Sequence, residues 1–259
     1  MRHLRAILRI FLMILWTGSV ALVFLPLGWL GNMSRRAVLQ LQMGFLRAWA
    51  WGVAAICGMR IRREGTPPTA PFVLVARPLS YVDLVLLTTQ VDGFFLIGPE
   101  TLGHTLPEWL ARGLNTIVID EEQGQMAAPA LRRVEAILQA GHGVVFLSPA
   151  VHQDEADGTA GTRAAFVEAL ATRFPVHAVV IEYEAPRGHP PATTSIHWRV
   201  GMGLSTHLYR LLQMPWFQAT AIFGEGVRGE EERGNPVRVG RKAMKRGFRP
   251  APAHPTSGE

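Results

Sequence analysis

The chain has 259 residues, 48% of them hydrophobic and 18% charged, which is too apolar for an ordinary soluble globule and points to membrane contact. Its net charge of +6 fits an acidic partner, but the basic residues are not interleaved with aromatics as in RNA-binding modules, so anionic lipid is the better match than nucleic acid. A single cysteine, Cys57, excludes an internal disulfide and a cysteine-rich metal cage.

The first element in chain order is an apolar run. No charged residue lies between Arg9 and Arg35, and Ile10 to Leu30 is long enough to cross or enter a hydrocarbon core as a helix. Arg2, Arg5 and Arg9 precede it and favour a cytoplasmic N-terminus. Ser19-Val20-Ala21 also suits signal cleavage, but the run continues through Leu30, beyond what a signal core needs, so the segment reads as retained. A second stretch, Ala37 to Met59, carries Trp49 and Trp51 with Gln40, Gln42 and Arg47, a composition for the bilayer interface. The pair reads as a helical hairpin entering from one leaflet. Arg60, Arg62 and Arg63 follow, either facing lipid headgroups or forming a solvated helix end.

From Phe72 the pattern changes to strand-length apolar runs separated by helical stretches, which predicts an α/β domain. The expected strands are Phe72 to Ala76, Gly93 to Ile97, Thr116 to Ile119, Gly143 to Leu147, His177 to Tyr183, Ser195 to Val200 and Gln218 to Phe223. The expected helices are Tyr81 to Thr89, Pro107 to Gly113, Ala127 to Gln139, Thr162 to Arg173 and Thr206 to Leu212. Three regions result: an anchoring hairpin over 1–63, an α/β domain over 64–224 with a sheet flanked by helices, and a basic, disordered tail over 225–259.

Three blocks sit after strands in this domain. Arg77-Pro78-Leu79-Ser80-Tyr81-Val82-Asp83 follows the first. Gly98-Pro99-Glu100 leads through Trp109-Leu110-Ala111-Arg112 to Asp120-Glu121, and Ser148-Pro149-Ala150-Val151-His152 follows Val144-Val145-Phe146. A fourth, apolar block is Phe174-Pro175-Val176 running on to Tyr183. In the order and spacing of these blocks, Phe72 to Phe223 resembles the lysophosphatidate-type (1-acylglycerol-3-phosphate) glycerolipid acyltransferases, bacterial branch. Trp198-Arg199-Val200-Gly201 and His207-Leu208-Tyr209-Arg210 add to the likeness.

The resemblance implies an α/β acyltransferase fold and O-acyl transfer to a lysolipid hydroxyl in phospholipid biosynthesis. It places Ser80 and Asp83 at catalytic positions, and Glu100, Asp120, Glu121, Pro149 and Ala150 at substrate-binding positions. The family's first block reads Asn-His-x-Ser-x-x-Asp, whose histidine is the general base that the aspartate orients. Pro78 stands at that histidine position and has no ionisable group, leaving Asp83 without the partner it serves. Gly98 stands where the family has lysine and Glu121 where it has arginine, and a carboxylate repels the phosphate that the arginine would pair. Ala150 stands at the glutamate of the third block.

Losing a general base costs roughly 10² to 10⁴ in rate. The expected function is therefore an impaired or non-catalytic family member acting at the membrane as a lipid-binding or partner subunit. The alternative is an active O-acyltransferase with an atypical acceptor such as an aminolipid. His152, with Asp157 five positions on, is a candidate relocated base, although its polar loop reads more simply as solvated. His142 and His177 flank strands and His104 sits in a loop, where packing explains them. No metal-ligand spacing or phosphate-binding glycine loop occurs, so neither metal nor prosthetic group is expected. Acyl-carrier protein or acyl-coenzyme A would be the co-substrate of an active form, membrane lipids are the expected partners, and the inner-membrane cytoplasmic face is the expected location.

Overall fold

The structure is a computed structural model that describes residues 2–27, 35–99, 117–119, 128–147, 166–198 and 202–226. Two long helices come first, α1 (Arg2–Leu27) and α2 (Arg35–Cys57). They lead into strands β1 (Met59–Glu64) and β2 (Val73–Ala76), helix α3 (Val82–Gln90) and strands β3 (Phe94–Pro99) and β4 (Ile117–Ile119). Helix α4 (Ala128–Gln139), strands β5 (Gly143–Leu147) and β6 (Val176–Glu184), helices α5 (Ala192–Ser195) and α6 (Leu204–Gln213) and strand β7 (Phe217–Phe223) follow.

The strands form one sheet in the order β1-β7-β6-β2-β5-β3-β4. Every pairing is parallel except β6 with β7. Central β2 reads Val73-Leu74-Val75-Ala76 and is buried throughout, as a parallel strand covered on both faces must be. One face, with Leu74, Ala76, Val145, Ile181 and Phe217, packs under α2, α3 and α6. The other, with Val73, Val75, Val144 and Phe146, packs on Val134 and Leu138 of α4 and on the helical residues 166–171.

Helix α2 buries Ala50, Val53, Ala54 and Cys57, a stripe with helical spacing, so it belongs to the domain's core on one face. It stops at Gly58, whose φ of +73° suits glycine and whose missing side chain leaves room for Pro215 O and the Arg9 guanidinium. Helix α1 lies against α2 and α6. Trp16 Nε1 donates to Trp49 O at 3.0 Å, and Trp49 Nε1 to Thr17 Oγ1 at 3.1 Å. The opposite face of α1 is bare: Leu4, Ile7, Leu8, Phe11, Ile14 and Leu15 are each more than half exposed. Residues Arg2–Val23 form a helix long and apolar enough to cross a membrane.

The sequence expectations are corrected in two places. The arginines at 60, 62 and 63 are not a helix end but part of edge strand β1, where the Arg60 guanidinium stacks 4.0 Å above the Trp216 ring. Ser195 does not begin a strand. Pro190-Pro191 instead caps the short helix α5, with Ser195 Oγ donating to the Pro190 and Pro191 carbonyls. The helix expected around Thr206 to Leu212 is present as α6, Leu204–Gln213. The helix expected over Pro107 to Gly113, and the tail from residue 227, fall outside the described residues.

Candidate functional site

The strands leading into the motif blocks end on one edge of the sheet. Ala76 at the end of β2 stands across from Leu147 at the end of β5, and Pro99 of β3 across from Ile119 of β4. Carboxyl ends of parallel strands are where open α/β sheets place their sites. The first block fills the turn between β2 and α3.

Ser80, followed three residues later by Asp83, has the sequence of a helix-starting capping box. Asp83 plays its part: Oδ2 accepts from the backbone N–H of Leu79 at 2.6 Å and of Ser80 at 2.9 Å, and its own N–H donates to Ser80 O at 3.0 Å. The other oxygen, Oδ1, accepts from the Tyr183 hydroxyl at 2.5 Å. Asp83 is therefore not left idle, as the sequence suggested. Among the described residues three donors hold it, and none is an imidazole.

Asp83 and Tyr183 are both buried. Burial pushes the Asp83 carboxyl up to about 6, against the opposing pull of the Tyr183, Ser80 and Leu79 hydrogen bonds. The Tyr183 phenol is driven well above its ordinary range by burial first and by the Asp83 charge second. Ser80 Oγ is buried with no hydrogen-bond partner among the described residues.

A second polar pair adjoins the first. The Tyr81 hydroxyl and His207 Nδ1 lie 3.1 Å apart, joining the start of α3 to α6. Burial lowers the His207 imidazole below the usual histidine range and so favours its neutral form, an effect that the His197 backbone opposes in part. The His197 ring meets Tyr183 edge-on at 6.0 Å, and Trp198 meets Tyr81 edge-on at 6.4 Å. Trp198 N–H donates to Leu79 O at 3.0 Å, closing the turn from outside.

Of the residues singled out in the sequence, Ser80 and Asp83 are brought together here. Glu100, Asp120, Glu121, Pro149, Ala150, His104 and His152 lie outside the described residues. His142 sits beside the Phe95 ring, and burial lowers His177, whose Nδ1 lies 3.5 Å from Gly224 O. Tyr183 and His207 are the residues sequence reasoning missed. The chain has three tyrosines, 81, 183 and 209, and Tyr183 shares the inward register of Val179 and Ile181, the one available signal. Among the described residues no group of three His, Cys, Asp or Glu side chains converges as a metal site.

The fold is a mixed α/β architecture, with an apolar helix at the N-terminus. The chain is similar to the crystal structure of the 1-acyl-sn-glycerophosphate acyltransferase PlsC from Thermotoga maritima, with a TM-score of 0.58 over 95% of this chain and 95% of that chain. Sequence identity is 17%, so the likeness is one of fold. No family model matches the sequence. No curated protein matches it either.

Proposed function

We propose that this chain is a membrane-associated protein of acyltransferase fold whose motif site binds lipid or a protein partner, with acyl transfer to a lysolipid hydroxyl impaired or lost. The observation that carries this reading is the occupancy of Asp83. A carboxylate that serves a general base must receive an imidazole N–H, whereas Asp83 receives the Tyr183 hydroxyl and two backbone amides. Pro78, at the position of the family's histidine, has no proton to move.

The exposed apolar face of α1 supports docking into a lipid surface, with α1 and α2 entering one leaflet as a hairpin from the cytoplasmic side of the inner membrane. Lipids are the proposed first partners and acyl-carrier protein a second. A specific observation favours one other reading: the unpaired, buried Ser80 Oγ beside Asp83 suits a polar acceptor, such as an aminolipid, in an active O-acyltransferase.

The test uses full-length protein in vesicles, with acyl-carrier-protein and acyl-coenzyme A donors and with lysophosphatidate and lysophosphatidylethanolamine acceptors. The impaired reading expects no turnover above background. Turnover that disappears in Asp83→Ala would remove it and leave the active enzyme.

A further inference from the structure

Helix α6 is held at both ends by different parts of the chain. At its C-terminal end the carbonyls that no helical N–H can reach are taken up by α1. Arg9 Nη1 donates to Leu212 O at 3.2 Å and to Met214 O at 2.5 Å, and Arg9 Nη2 donates to Pro215 O at 2.9 Å. Arg5 donates to Gln213 O at 3.0 Å, and His3 Nδ1 lies 2.9 Å from the Tyr209 hydroxyl. Cations at a helix C-terminus also complement its dipole.

Toward its N-terminal end α6 holds the turn that surrounds Asp83. His207 bonds the Tyr81 hydroxyl, and Trp198, whose Nε1 donates to Met202 O at 3.1 Å just before α6, donates its backbone N–H to Leu79 O. Leu79 and Ser80 supply the two amides that bind Asp83. Hydrogen bonds weaken steeply once stretched or tilted, so a small displacement of α6 would release Tyr81 and Leu79 together.

We propose that α6 is a strut that couples the seating of α1 to the order of the turn 77–83, with Arg9 and His207 as positioning residues at its two ends. The turn is then ordered only while the apolar helix is seated, which ties the site to the part of the chain that carries the exposed apolar face. The coupling does not depend on whether acyl transfer occurs.

Amide hydrogen exchange on the full chain in vesicles tests it. Arg9→Gln should speed exchange at Leu79 and Ser80 by about tenfold, within the range typical of coupled sites. The amides of Val144 and Phe146 in β5, whose side chains pack on the far face, should stay near their original rate. Coupling is reciprocal, so Tyr81→Phe should speed exchange in the first turns of α1 by a similar factor, and this variant decides the matter should Arg9→Gln fail to fold. Arg132→Gln, exposed on α4 on the other side of the sheet, should change neither region. Faster exchange confined to the last turn of α6 in Arg9→Gln, equal acceleration in β5, or an unchanged α1 in Tyr81→Phe would each overturn the proposal.

Discussion

The Tyr183 hydroxyl reaches Asp83 Oδ1 at 2.5 Å from 100 residues further along the chain, and the pair is buried. Removing the hydroxyl leaves one oxygen of a buried carboxylate unpaired, at a cost of about 2 to 3 kcal/mol for a hydrogen bond to a charged group. Tyr183→Phe should lower the urea midpoint by a corresponding amount at pH 7.5. The loss should shrink at pH 5, where the carboxyl holds its own proton. Equal losses at both pH values would show that Tyr183 contributes by packing alone.

The Asp83 carboxyl gives a signed pH dependence. Unfolded, it titrates near about 3.9. Folded, burial raises it to about 6, so between these values the folded chain holds the extra proton. Its contribution to stability is thus fully present at low pH and is lost as pH rises through about 6, by about 3 kcal/mol in all. His177 and His207, both lowered by burial, act in the opposite sense because acid must charge them. The difference between wild type and Asp83→Asn isolates the carboxyl. Relative to the variant, wild type should lose stability between pH 4.5 and 7.5, and a constant difference would count against the raised value.

How far the sequence could be read differs between fold and site. Alternating apolar runs and helical stretches located β2, β5, β6 and β7 to within about two residues, because each strand is bounded by a polar turn or a glycine. Strand β1 escaped because its apolar alternation is only Met59 and Ile61 among three arginines, too short to stand out, its pairing being set by β7 alone. Ser80 and Asp83 were legible as a local motif. Tyr183 and His207 were not, since their bonds to Asp83 and Tyr81 span 100 and 126 residues and exist only after the sheet and α6 have formed.

The seat of α1 on α2 depends on a glycine. A Cβ at Gly52 would lie 2.1 Å from Trp16 Nε1, the same nitrogen that donates to Trp49 O. Gly52→Ala must displace the indole, and overpacking of this kind costs about 1 to 3 kcal/mol. Trypsin cleavage after Arg9 should become faster in the variant. Gly44→Ala on the same helix, where a Cβ meets nothing within 4 Å, should leave cleavage unchanged.

On the proposed reading, a histidine placed at position 78 alone should not confer acyl transfer. In Pro78→His the new imidazole would find Asp83 Oδ1 already bonded to Tyr183 and Oδ2 bonded to two amides. The double variant Pro78→His with Tyr183→Phe frees Oδ1 to accept an imidazole N–H. Any recovered acyl transfer to lysophosphatidate should therefore appear in the double variant and exceed that of Pro78→His by about tenfold or more, a modest share of what a positioned general base supplies. Adding Glu121→Arg, at the position where the sequence resemblance implies a phosphate-binding arginine, should raise it further. Full recovery in Pro78→His alone would mean that Tyr183 yields its place readily, and the occupancy of Asp83 would then no longer explain the missing base.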